Sequence, residues 1–236
     1  MVSKYEKKAK KTIEKWRYVP HYVIKQCWDI VFLPMPDMFL EYVPFESIDK
    51  VLDMSSLEKQ FALDKQEFLE KNHASLLELK DKGLEFSDIL AEKVCKNVNY
   101  PELKEVSADI IMDFLADLPE IMYYSLRFVY KIGLCYGYDI ENKEDKNYIL
   151  AALLSVCGNP FEETPKVEPS SLSNLHIRQI STPISCDITM RKFIVQNPYL
   201  NIFLGKSAAT WYFKEIGIAA QHIFQKRWLV DHGKWE

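Results

Sequence analysis

A long apolar run that stops at a pair of glycines constrains this chain more than any other feature. Residues 117–139 read DLPEIMYYSLRFVYKIGLCYGYD, and in a chain with only 7 glycines, Gly133 and Gly137 fall here, four positions apart. The stretch 121–138 has the length of a membrane span, but Arg127 and Lys131 sit at its centre. Each such charge costs roughly 2.5–3.5 kcal/mol to insert, so a buried core helix is the better reading. Gly137 can take the left-handed conformation that ends a helix. Gly133, one turn earlier on the same face, completes a G-x-x-x-G spacing that lets a neighbouring backbone approach closely. In a soluble chain that predicts a tight helix–helix crossing.

The start of this helix is open to two readings. Asp117-Leu118-Pro119-Glu120 has the form of a capping box with proline in the first turn, so either a new helix begins at Asp117 or one long helix is kinked there. Asn142 and Asp145 are placed to cap a second arm over 143–157, which Gly158-Asn159-Pro160 stops. The region 101–158 is thus expected to form a central helical hairpin. Elsewhere the periodicity is also helical. Tyr5, Ala9, Ile13 and Trp16 make a narrow apolar stripe in a basic amphipathic segment over 1–31, broken or kinked at Pro20. Residues 33–46 read as an apolar connection. Long amphipathic helices are expected over 55–82, with Gly83 as the stop, and over 86–97. Residues 160–183 read as a loop, 184–204 as either strand or helix, and 207–230 as a final helix. The fold class is all-α, a single compact multi-helix domain spanning 1–236.

Composition sets the outer limits. With 48% hydrophobic and 27% charged residues the chain is globular rather than disordered. A net charge of −4 argues against nucleic acid as a partner. Five scattered cysteines with no C-x-x-C point to a reducing compartment and predict a cytoplasmic protein. The lysine-rich N-terminus lacks the apolar core of a secretory signal.

Two segments resemble the EcsC family, named for a reading frame beside a bacterial ABC transporter. In the first, Asp117, Leu118 and Pro119 are followed by Arg127, then Tyr136, Gly137, Tyr138 and Asp139, and an apolar helix ending at Gly158. In the second, Gly217, Ala220, Phe224, Arg227 and Leu229 match that family's C-terminal helix, and Trp16 follows a basic N-terminal helix as expected. Members are usually glycine-rich ahead of the Asp-Leu-Pro, whereas this chain reads EVSADIIMDFLAD. The resemblance implies an accessory role near a membrane or an ABC transporter and brings no catalytic activity with it.

Four groups of residues are candidates for function. Seven cations between Lys4 and Arg17 face two acids, a local +5 on an acidic chain. Lys4, Lys7, Lys8, Lys11 and Trp16 could dock on an anionic membrane surface or a membrane protein, or simply form a solvated face. Arg127 lies in apolar surroundings and needs an acidic partner, for which Asp117 or Asp139 are the expected choices; the competing role is binding a phosphate or headgroup. Tyr136 and Tyr138, with Asp139, could line a ligand or partner site, or pack. Glu105, Asp109, Asp113 and Asp117 recur every four residues, which on one helix aligns their carboxylates. That stripe is either a solvated acidic face or a site for a divalent metal, as in a metal-dependent hydrolase. No cofactor fingerprint is present, and a bound lipid is the remaining ligand suggested by the aromatic content.

Overall fold

A computed structural model of the protein describes residues 2–16, 54–98, 110–139, 148 and 208–235. Six helices lie within them: α1 Lys4–Trp16, α2 Met54–Asn72, α3 Leu76–Asp81, α4 Leu84–Lys96, α5 Ile110–Cys135 and α6 Ala208–Asp231. No strand occurs among the described residues. Helix α5 is the axis of the fold and touches α2, α3, α4 and α6, while α1 lies across α4 and α6. Its second half explains this position. Ile121, Met122, Leu126, Val129 and Ile132 are buried, and so are Tyr130, Leu134 and Tyr136, so the helix is apolar nearly all round. A helix of that kind can only be stable inside a ring of others.

Helix α5 runs through Asp117 and Pro119 without a new start, so the predicted capping role of Asp117 does not hold. The apolar run IIMDFLA upstream is itself helical and carries the helix across the proline, despite the lost backbone donor and the crowding of the ring against the preceding turn. The second arm of the expected hairpin, the break at Pro20, the connection 33–46, the loop 160–183 and the ambiguous stretch 184–204 lie outside the described residues.

The expected single helix over 55–82 is two helices. His73 adopts a left-handed φ of 46°, and the amide of Ala74 donates to the Leu69 carbonyl while that of His73 donates to Glu70. Together these bonds close a Schellman turn. Ser75 then starts α3 with a capping box: its Oγ accepts from the Glu78 amide, and the Glu78 side chain accepts from the Ser75 amide at 2.7 Å. Gly83, the expected stop, is instead the N-cap residue of α4 with an ordinary negative φ.

Both glycines of the opening pair are required, but by different neighbours. A Cβ on Gly133 would lie 2.9 Å from Cζ of Phe224 on α6, which is the close crossing that the spacing predicts. Gly137 has φ +78° and terminates α5, with the Tyr138 amide donating to Gly133 and the Gly137 amide to Leu134. A Cβ there would meet the Lys80 backbone nitrogen at 2.7 Å and the Leu76 carbonyl at 2.8 Å, both on α3. Within α6, a Cβ on Gly217 would meet Cys95 Sγ at 3.1 Å.

Three consequences are measurable by denaturant unfolding. Gly137→Ala combines left-handed strain with a backbone clash and should cost about 3 kcal/mol. Gly133→Ala should cost less, because a ring edge can shift where a backbone cannot. His73→Gly, at an exposed left-handed position, should stabilise the protein by about 1 kcal/mol.

Candidate functional site

The functional residues suggested by sequence fall into two places, the inner end of α5 and the outer face of α1. At the first, Arg127 does not pair with Asp139, and the side chain of Asp117, the other expected partner, lies outside the described residues. Its Nε and Nη2 donate to the two carboxylate oxygens of Asp64 on α2, each at 2.7 Å. Lys131, one turn on, adds a third contact at 3.2 Å, and Nη1 donates to the Tyr123 hydroxyl. The Asp64 side chain is 1% exposed. Burial alone would push its carboxyl up, but the Arg127 fork and Lys131 outweigh it and hold the group below the usual carboxylate range. The neighbouring Lys65 pairs instead with Asp139, which also accepts from the Tyr130 hydroxyl at 2.9 Å. Adjacent residues of opposite sign on α2 therefore grip α5 at two points. Arg127 is committed to the fold and presents no fork to a phosphate.

The four residues after α5 each fasten a different helix. The hydroxyl of Tyr136 donates to Asp88 on α4 at 2.6 Å. Gly137 lies against α3, as described. The hydroxyl of Tyr138 donates to Asp231 at the end of α6 at 2.9 Å, and Asp139 takes Lys65 of α2. The rings of Tyr136 and Tyr138 both stack on Phe224, with centroids 6.1 and 5.8 Å away. Arg227 lies 4.5 Å above the Tyr138 ring and 4.1 Å from that of Tyr148, and Asp231 stands 3.7 Å from its Nε. Tyr136, Tyr138 and Asp139, read from sequence as candidate ligand contacts, have buried hydroxyls and carboxylate with partners inside the protein.

The model of the EcsC protein family matches residues 7–229 of this chain. The chain belongs to the EcsC protein family. Comparison with curated proteins and with solved structures returned no match.

In this EcsC protein the basic helix α1 is divided sharply into two faces. Tyr5, Glu6, Ala9 and Ile13 point inward, and three of these are buried. Lys4, Lys7, Lys8, Lys11 and Lys15 are exposed and fall within about 100° of arc at a helical turn of 3.6 residues. None of the five forms an ion pair among the described residues. Trp16 is the last residue of the helix. The apolar stripe is therefore spent on α4 and α6, and the lysine side alone is presented outward. Ser3 caps the helix by accepting from the Glu6 amide, and Glu6 both accepts from the Ser3 amide and pairs with Lys234 at 2.7 Å.

The acidic stripe is met only in part. Asp113 and Asp117 lie four residues apart within α5, while Glu105 and Asp109 are outside the described residues. Among the described residues no group of three His, Cys, Asp or Glu side chains is gathered for a metal ion.

Sequence reasoning missed Asp64, Lys65, Asp88 and Asp231. Each is joined to the α5 end across 48 to 93 residues of chain, so no spacing could have revealed it. Arg127→Ala should cost about 3 kcal/mol in an unfolding titration, the low end for stripping one partner from a buried pair, because Lys131 remains beside Asp64. Adding Asp64→Asn should recover part of that loss. If Arg127 served a ligand rather than the fold, the single variant would fall within about 0.5 kcal/mol of the wild type.

Proposed function

We propose that this EcsC protein is a non-enzymatic accessory protein that docks on an anionic membrane surface from the cytosolic side through the lysine face of α1, alone or beside an integral membrane partner such as an ABC transporter. The observation that carries this reading is the arrangement of α1. Its inward face fixes the helix to the body of the protein, so five lysines with no ion pair among the described residues stand as a preformed array on a chain whose net charge is negative. An array held in place loses less side-chain and backbone freedom on binding than a flexible tail would. Near an anionic leaflet each lysine contributes about 1 kcal/mol. No helix among the described residues is long and apolar enough to cross a membrane, which is in keeping with attachment at the surface.

The polar residues at the α5 end support the same reading from the opposite side. Their hydrogen bonds and ion pairs are turned inward, so they build a scaffold rather than a reaction centre. Glu6 lies within the inward face of α1, and an acid there opposes insertion of that face into lipid. Contact is accordingly by lysine tips, and charge rather than curvature decides it.

Sedimentation with lipid vesicles checks this directly. The protein should pellet with vesicles containing anionic phospholipid and stay in solution with zwitterionic ones. Salt at about 0.5 M, where screening acts within roughly 5 Å, should release it. Replacing Lys4, Lys7, Lys8 and Lys11 by Gln should weaken partitioning by about 4 kcal/mol, close to a thousandfold. Pelleting unchanged by both treatments would rule out the lysine face.

A further inference from the structure

Asp88 is the outlier among the buried acids of this protein. Asp64, Asp139 and Glu6 each have a lysine or arginine in contact. Asp88 is 4% exposed, and no cation pairs with it among the described residues. Its carboxyl meets neutral donors from three helices. The Tyr5 hydroxyl of α1 reaches Oδ2 at 2.7 Å, the Tyr136 hydroxyl that follows α5 reaches Oδ1 at 2.6 Å, and the Gln225 side chain of α6 lies near enough to favour the ionised form. The charged group that acts on it, Glu92 on its own helix, carries the same sign. Helix α1 is what closes this site, since Tyr5 covers one of the two oxygens.

We propose that α1 is a latch closed over Asp88, and that its hold on the body of the protein weakens when Asp88 gives up its proton. With α1 in place the acid is shut away from water beside the like charge of Glu92, which penalises the ionised form. When α1 leaves, water reaches the carboxyl and the penalty disappears. Release of the helix is thus coupled to release of a proton. Burial, opposed by the bonds from Tyr136 and Tyr5 and by the nearby Gln225, leaves the carboxyl titrating above its ordinary 3.8. A raised value in the closed state means that the protonated acid favours closure. That contribution is full below 3.8 and is lost as pH rises through the raised value. The second clasp, Glu6 on Lys234, has the opposite sign, because hydrogen bonds and the lysine hold the Glu6 carboxyl below its ordinary 4.5. The contribution of Asp88 is therefore isolated by comparison with a variant, not by the wild-type profile alone. The latch stands independently of what the lysine face meets. If that face does meet lipid, closure is what keeps it a rigid array.

Helix α1 has 13 residues, a length at which a helix detached in water is marginal, so hydrogen exchange of its amides reports its release. Exchange of the full-length protein is measured by mass spectrometry from about pH 4 to pH 8, corrected for intrinsic rates, for the wild type, Asp88→Asn and Tyr5→Phe. The ratio of wild-type to Asp88→Asn opening constants should climb by up to tenfold per pH unit above the ordinary carboxylate value and then level off. Tyr5→Phe removes the α1 donor while leaving Asp88 buried. It should open α1 by at least about tenfold near neutral pH and steepen the pH dependence. A ratio that does not vary with pH, or Tyr5→Phe exchange indistinguishable from wild type, overturns the latch.

Discussion

Everything else in this structure depends on the turn that follows α5. A helix that is apolar on nearly all sides cannot stop in water, and here its last residues are used to hold the elements that surround it. Tyr136, Gly137, Tyr138 and Asp139 engage α4, α3, α6 and α2 in succession. The contacts are of three kinds: two phenols on carboxylates, a bare Cα against backbone, and an ion pair. The left-handed Gly137 makes this possible, because it ends the helix in a turn from which the three neighbouring side chains reach different helices. A substitution at Gly137 therefore disturbs more than a turn; it removes the geometry that lets the other three residues reach their partners.

The electrostatics around this turn follow one rule with one departure. Charges brought inside are matched with opposite charges at hydrogen-bonding distance, as with Asp64 against Arg127 and Lys131. Such pairs add less stability than their Coulomb energy suggests, since both ions lose hydration, but removing one member leaves the other stranded. They specify which face of α2 meets α5 more than they strengthen the contact. Asp88 departs from the rule by resting on neutral donors, and it does so where the peripheral helix α1 packs on α4.

What could be read from the sequence was whatever chemistry acts within a turn or two of chain. The extents of α1 and α6, the termination of α5 at Gly137 and the close approach at Gly133 all follow from local patterns, and the family could be recognised from the same residues. The break at His73 escaped because apolar periodicity continues across it, and histidine is not the residue one expects at a left-handed position. The capping box of Ser75 and Glu78 was nevertheless visible as S-L-L-E. Gly83 was misassigned because a glycine between two helices can end the first or begin the second, and only the backbone angle decides. Arg127 was rightly expected to need an acid, but its partner is 63 residues away, beyond any spacing rule.

The same division bears on how α1 can act. A basic amphipathic helix read in isolation invites the picture of a peptide laid into a bilayer, apolar side down. Seated on α4 and α6, α1 has no apolar side to offer, and the buried Glu6 would accompany that side into lipid. The two modes are mutually exclusive: a closed α1 can only adsorb through its lysines, and an open α1 would have to surrender its contacts with Asp88 and Lys234 before its apolar face met anything else. Adsorption demands nothing of the fold, whereas insertion must overcome both clasps and the burial of Ala9 and Ile13, at about 1.5–3 kcal/mol for the isoleucine alone. For the proposed membrane contact, charge attraction to an intact helix is therefore the less costly route, and that proposal requires the scaffold around α5 to remain closed.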